Sequence, residues 1–546
     1  MQVMRTNVIA GTRTEPPTYV MMERHLRGAG SARTIQQHMD GRFTLSAGAV
    51  SEKDNRFYDT FDWRLFHEGL LLVWTEGTWQ LAEIETGNVL ARQTGPAGVR
   101  FASCRGDVVE CPPRSVLSRG GIAPFLRERL GNRRVILVLH ERESCVAHTL
   151  RDQRGKSHGT VELVEWRAAS TTRRGGRRVK NPKPHCALVF HPLRGYRDSR
   201  DLLLEAISGH GQEVSRSALM EQRFGTADAA PGYHQTKPDV QRDTDDPAAV
   251  AVSRIGCHLL RIMEEQVPGI VLRIDAEYLH DYRVALRRLR SVVSNVPGVF
   301  PADVEVAIRS RLRQLWQRTG PARDLDVLEE SWEHYAETVS SSLRPGIDDL
   351  SGFTVARRIE AYADLGAYVC TGTHDADLRI LTRAFESVAH DYGSRGGRPV
   401  HGEAGAALRR RIKKVRRRAR KLDVTDETAL HGLRVQCKKL RYLLEVFGPL
   451  YDDVAVATLT HELKRVQEVL GRVNDYAVQQ ETLARFLDEV PDPAPRTAAA
   501  VGAVITRLED RKRREQKRLR KKLQRHLGEL ERPQWRALFE TAEEPL

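Results

Sequence analysis

One phrase is written twice in this chain, at a fixed separation of 151 residues. His280-Asp-Tyr-Arg283-Val-Ala-Leu-Arg287-Arg288-Leu-Arg290 returns as His431-Gly-Leu-Arg434-Val-Gln-Cys-Lys438-Lys439-Leu-Arg441. Gly320-Pro-Ala-Arg-Asp324 returns as Gly471-Arg-Val-Asn-Asp475 in the same frame, without an insertion. Shared register over this length marks an internal duplication, so the C-terminal half must be built from two copies of one helical unit.

Helical geometry turns the phrase into a surface. At 100° per residue, His280, Arg283, Arg287 and Arg290 fall within about 80° of one helix, and Leu279, Tyr282, Leu286, Leu289 and Val293 form the adjoining packing face. The second copy sets His431, Arg434, Lys438 and Arg441 beside Leu433, Cys437, Leu440 and Leu444, while Arg288 and Lys439 stand off the column. At 1.5 Å rise per residue the column spans about 15 Å, long for one phosphate and suited to several in a row. Arginine offers planar bidentate donors to phosphate oxygens and lysine a mobile point charge. The histidines add a neutral donor, or a cation beside a polyanion. Asp324 and Asp475 are expected as N-caps or as salt-bridge partners that orient the arginines. Arg323 and Asp326 are placed in the same ionic network, which Asn474 and Ala477 break in the second copy.

The run Arg409 to Lys421 holds ten cations in thirteen residues, with Leu408, Ile412, Val415, Ala419 and Leu422 as its packing stripe. Arg410, Lys413, Lys414 and Arg417 from this run, with Arg313 and Lys464, complete the candidate set. A second run, Arg511 to Lys522, is less amphipathic. The formal charge of +15 points to anionic partners rather than to a fold. Aromatic residues make up 6% and do not interleave with the basic runs, which weighs against stacking on single-stranded nucleic acid. The seven scattered cysteines form no CxxC pair, so neither a zinc site nor a disulfide framework is expected.

Residues 1–18 read as a loose leader. From Tyr19 to about Ile207 short alternating segments (Tyr19–Met22, Gly69–Trp74, Trp79–Leu81, Val135–Leu139, Val161–Val164, Ala187–Phe190) predict an antiparallel sheet or barrel. Thr171 to Arg178 is expected as a basic loop. A polar stretch over 208–241 reads as a linker, and everything from about 242 to 540 has helical period, in repeat halves of about 242–392 and 400–540. No apolar run reaches the length of a membrane span, and a cytoplasmic location is the default.

The two phrases, Gly320-Pro-Ala-Arg-Asp-Leu-Asp326, the run ahead of His431, and Leu440-Arg-Tyr-Leu-Leu-Glu445 resemble the CHAD family, the conserved-histidine α-helical domain. The resemblance implies two pseudo-symmetric four-helix bundles with a basic central groove, and binding of inorganic polyphosphate. The positions matching its signature are His280, Arg283, Arg287, Arg288 and Arg290, with His431, Arg434, Lys438, Lys439 and Arg441. Asn55 to Leu70 is similar to a segment of the CYTH family, a triphosphate-binding tunnel. The resemblance fails where that chemistry lies. The ExExK strand is Met21-Met-Glu23-Arg-His25, Leu71, Val73 and Thr75 stand where arginines alternate, Ala82 to Glu85 offers no lysine, and Ala187-Leu188-Val189 lacks the late carboxylates.

The whole is therefore expected as an α+β multidomain chain, with a β-barrel or tunnel-like CYTH-like domain ahead of a CHAD domain. It is read as a non-catalytic binder of polyphosphate or a similar polyanion, with no cofactor and an implied association with polyphosphate granules. The alternative is a Mg- or Mn-dependent triphosphatase that rebuilds a metal site from Glu83, Glu85, Glu162 or Glu165. A nucleic-acid binder is a third reading, distinguished by competition of RNA against polyphosphate.

Overall fold

The computed structural model describes residues 17–225, apart from 23–35, 38–40, 42, 47, 104–107, 114–115, 118–120, 171–183 and 208–209. It then describes 245–530 apart from 424–425, and the single positions 535, 538 and 539. Side chains of residues 520–530 are outside the description. The leader up to residue 16, Glu23, His25 and the loop 171–178 fall outside it too. The chain divides into two compact units, Met1–His234 and Gln235–Leu546.

The first unit is an antiparallel sheet whose hydrogen-bonded order is β12-β1-β11-β10-β9-β3-β4-β5-β6, with β2 on β9. Its strands are β1 (Thr18–Met22), β2 (Phe43–Leu45), β3 (Ala49–Thr60), β4 (Leu70–Thr75), β5 (Thr78–Glu83), β6 (Val89–Thr94), β9 (Val135–Asp152), β10 (Ser157–Ser170), β11 (His185–Pro192) and β12 (Gly211–Val214). A separate hairpin pairs β7 (Val99–Ala102) with β8 (Val108–Cys111). The path runs from one edge to the other, and the expected barrel is not seen to close among the described residues. Both faces are apolar. Val161, Leu163, Leu188 and Phe190 pack with Leu203 of helix α3 (Arg197–Ala206), while Val164, Trp166, Ala187 and Val189 pack with Leu219 of helix α4 (Arg216–Gly225). Strand period places successive residues on opposite faces, and a sheet covered on both sides reads as continuous apolar runs. Two shorter helices, α1 (Arg64–His67) and α2 (Ala123–Leu130), complete this unit.

The stretch expected as linker is shorter than its polarity predicts. Gly211–Val214 pairs with β1 and Arg216–Gly225 is α4, so residues 211–225 belong to the sheet unit. Gly211 also lies where a Cβ would stand 2.8 Å from the Met21 carbonyl oxygen, a close approach that needs glycine.

The second unit is helical: α5 (Ala248–Val271), α6 (Ala276–Asn295), α7 (Ala302–Arg318), α8 (Gly320–Thr338), α9 (Arg344–Cys370), α10 (Thr373–Ser387), α11 (Val400–Arg420), α12 (Glu427–Phe447), α13 (Asp453–Glu489) and α14 (Pro495–Leu530). The starts of α6, α7 and α9 recur 151 residues on, at α12, α13 and α14. The caps recur as well. Asp275 accepts from the N–H groups of Glu277 and Tyr278, and Asp426 accepts from those of Thr428 and Ala429. One difference is covalent. Pro321 has no N–H to give and separates α7 from α8, whereas Arg472 stands at the matching position and α13 runs unbroken through 37 residues.

The two copies clasp at their entrances. Ala248 donates to the Arg398 carbonyl at 2.8 Å and Val400 to the Asp246 carbonyl at 2.9 Å, a reciprocal exchange across a Pro247–Pro399 bridge. Their far ends share a core. Leu328, Trp332, Ile347 and Leu350 of α8 and α9 pack with Leu483, Phe486, Val501 and Val504 of α13 and α14. The repeats are thus interlocked by packing across copies. Asp275→Ala and Asp426→Ala should each lower stability by about 1 kcal/mol, the usual worth of an N-cap, in urea unfolding followed by helical ellipticity.

Candidate functional site

Helices α6 and α12 are joined by an ion pair between Arg288 and Glu445, and their cations lie near enough to repel one another. Burial, then Arg434, Arg287 and Arg441, push the Lys438 ammonium down to about 8. Arg287 and Lys438 occupy the same position in the two copies, so the columns meet at their midpoints. Burial, then Arg411, Lys414 and Arg290, lowers Lys439. Arg287 is lowered by burial and by Arg441 and Arg288, and Arg290 by burial and Arg313. Burial and the neighbouring Arg323 lower the pKa of His280, which favours the neutral imidazole donor.

Each cation is positioned differently. Arg283 donates to the Trp316 carbonyl (3.1 Å) and the Thr319 hydroxyl (3.0 Å), satisfying the end of α7 where the Pro321 break leaves carbonyls without partners. Its guanidinium lies 3.9 Å from the Trp316 ring centroid, and that of Arg290 lies 5.0 Å from the same ring. Arg287 and Arg441 flank Tyr442 at 4.8 and 5.3 Å. The second copy uses ionic rungs to α13 instead: Arg434 donates to Asp475 at 2.7 Å, and His431 Nδ1 lies 2.8 Å from Asn474 Oδ1. Sequence spacing could not reveal the aromatic supports, because Trp316 and Tyr442 reach these arginines only through tertiary packing.

Asp475 is therefore the expected salt-bridge partner, but neither aspartate is an N-cap, since both lie inside helices α8 and α13. Asp326 serves a different purpose. Buried, it accepts from Arg358 (2.6 Å) and Tyr362 (2.8 Å) and ties α8 to α9. Arg288 is also structural. Only 7% exposed, it donates through Nε and Nη2 to Glu445 at 3.1 and 3.0 Å, bridging α6 to α12.

Several donors end without partners. The Nε atoms of Arg287, Arg434 and Arg411, and Nη1 of Arg323, are buried with no hydrogen-bond acceptor among the described residues. Arg434, with Lys438 and Arg441 of α12 and Lys464, Gln467 and Arg472 of α13, lines a cleft of 580 Å³. Buried charged donors lacking acceptors are costly unless a ligand supplies the oxygens.

The basic run divides. Arg411, absent from the sequence-based set, donates to Gln436 (2.6 Å) and Asn295, and with Lys414 it adjoins Lys439. Arg410, Lys413 and Arg417 instead line a separate cleft of 780 Å³ with Arg409, Arg416 and Arg420. The C-terminal run is partly neutralised, because Lys512 and Arg513 both pair with Glu509.

In the sheet unit the nominated acids are dispersed. Glu162 pairs with His191 and Glu165 with Arg167, Glu83 accepts from Thr86, and Glu85 from Ser217. Asp59, Glu110 and Glu141 are buried acids of this unit, and Glu141 with Glu143 grips Arg223 of α4. No group of three or more metal-ligating side chains occurs among the described residues. Cys111, Cys145, Cys186, Cys257 and Cys437 are free thiols. No described helix is long and apolar enough to cross a membrane. Arg288→Met should destabilise by roughly 2 kcal/mol in urea unfolding, because it removes the bridge between α6 and Glu445 of α12 and leaves that carboxylate to Arg441 alone.

The family model of the CHAD domain matches residues 254–484. Two curated relatives, the uncharacterized proteins Rv2226 and MT2285 of two Mycobacterium tuberculosis strains, are each 26% identical over 248 residues. That alignment covers 41% of this chain and 44% of each relative, under half their length. Among solved structures, the CHAD domain from the plant Ricinus communis covers 52% of this chain and 93% of its own, at 22% identity and a TM-score of 0.44. PptA from Streptomyces chartreusis covers 52% and 99%, at 14% identity and a TM-score of 0.34. Residues 254–484 of this chain, which hold both copies of the motif, are a CHAD domain.

Proposed function

We propose that the helical unit binds inorganic polyphosphate without chemical turnover, along the groove between α6 and α12. The observation that carries this reading is the meeting of Arg287 and Lys438, with buried guanidinium nitrogens beside them that lack acceptors. Cations held together against repulsion and burial gain most from a ligand that brings negative charge at regular intervals. A phosphate chain does so, and each oxygen it offers accepts a hydrogen bond. The rings that could serve as stacking platforms, Trp316 and Tyr442, have guanidinium groups over them, which favours a ligand without bases.

The N-terminal sheet we read as a CYTH-like scaffold that has lost triphosphatase chemistry. In support, Glu141 and Glu143 are committed to Arg223, and the other candidate acids have local partners. Phosphate release from polyphosphate or nucleoside triphosphates should therefore stay at background with Mg²⁺ or Mn²⁺. Chelator-sensitive turnover would overturn this reading of the sheet.

Binding of long-chain polyphosphate to the full chain should weaken at least tenfold in the double variant Arg287→Glu, Lys438→Glu, and fall steeply with salt as counterions compete. Unchanged affinity would reject the groove. The pH dependence has a definite sign. Because Lys438 is held at about 8, below the ordinary lysine value, the folded chain sheds this proton while the unfolded chain keeps it. Stability should thus rise with pH above about 8. A bound anion restores the proton, so affinity should fall as pH climbs from 7 to 9. Lys438→Arg should abolish that fall, and titration calorimetry in buffers of different ionisation heat should register the proton uptake.

A further inference from the structure

Among the positions where the two copies differ on the helix that follows each column, one bears on the cleft. In the first copy Trp316 fills the space beneath Arg283 and Arg290. The residue 151 positions on is Gln467, only 8% exposed, whose Nε2 has no hydrogen-bond partner among the described residues. Replacing an indole by an amide removes the stacking platform, opens volume and leaves a buried donor. The volume is the 580 Å³ cleft, in which Gln467 stands with Arg434, Lys438, Arg441 and Lys464.

The chemistry of the cleft is one-sided. Its buried uncommitted atoms are donors, namely Gln467 Nε2 and Arg434 Nε, while Arg441 Nε lies 3.2 Å from Glu445. Of its two carboxylates, Asp475 is taken by Arg434 and Glu468 is exposed. Cations alone attract any anion, but a fixed neutral donor among them selects for an oxygen at one place. The cleft is of small-molecule size, and the column along its wall is about 15 Å long.

Resting on the polyphosphate reading above, we propose that the second copy alone forms a discrete site for a short linear oligophosphate of about three phosphates. Gln467 is its specificity-determining donor. The first copy, with its arginines stacked on Trp316, serves only longer chains that run across both columns.

Titration calorimetry of tripolyphosphate into the full chain tests this. One tripolyphosphate should bind per chain, Gln467→Leu should weaken it by roughly tenfold, and Trp316→Gln should raise the stoichiometry to two by opening the matching space in the first copy. Circular dichroism controls for folding, and because the two variants act in opposite directions, misfolding of one leaves the other decisive. Two equal sites in the wild type, or an unaltered affinity in Gln467→Leu together with an unaltered stoichiometry in Trp316→Gln, would overturn the site. If long chains bind and tripolyphosphate does not, the discrete site falls and the groove stands; if neither binds, both fall.

Discussion

A single carboxylate makes the crowding of cations in this protein tolerable. Glu445 accepts from Arg288 on the facing helix and pairs with Arg441 at 3.2 Å on its own. Without it, the columns of like charge on α6 and α12 would lose the ion pair that bridges the two helices. Coulomb repulsion at a few ångströms in a partly desolvated setting amounts to several kcal/mol, enough to drive the helices apart. Glu445 has no counterpart in the first copy, where Ser294 stands at the matching position. The interface between the copies therefore depends on a residue that only one of them carries.

Much of the helical half is legible in the sequence, because duplication gives the reader the same information twice. Helical period and the 151-residue frame locate α6 and α12, their packing faces and the column of cations. What periodicity cannot give is the use to which each cation is put. Arg288 and Arg287 are neighbours in a basic run, yet one is spent on Glu445 and the other has an Nε without an acceptor. Arg283 and Arg434 are equivalent by spacing, yet one closes the end of α7 and the other pairs with Asp475. These choices are made by residues far away in the chain, and no local pattern encodes them. Arg411 is hidden for the same reason, since its partner Asn295 lies on another helix.

The sheet unit is less legible. Its strands β9 and β10 run well past the apolar segments that announce them, and β3 has no such segment, because paired polar residues continue the ladder where hydrophobicity gives out. The polar composition of 211–225 conceals a strand and a helix for a related reason. β12 is an edge strand, exposed on one side, and α4 contributes few but large buried groups, among them Phe224 against Trp63, Phe57 and Phe66. Arg223 on that helix closes over Glu141 and Glu143, the pair of acids on one face of β9 that alternation alone would nominate for a cation.

The break at Pro321 gives the two halves different mechanical characters. α13 is a strut of about 55 Å held by one uninterrupted ladder of hydrogen bonds, so a load applied beside Arg434 is carried to the shared core at Phe486 with little loss. The matching path in the first half passes through an elbow at Thr319, whose rigidity is lent by the Arg283 guanidinium. The molecule thus joins a stiff limb to a jointed one, and tension along the groove would be felt first at the joint.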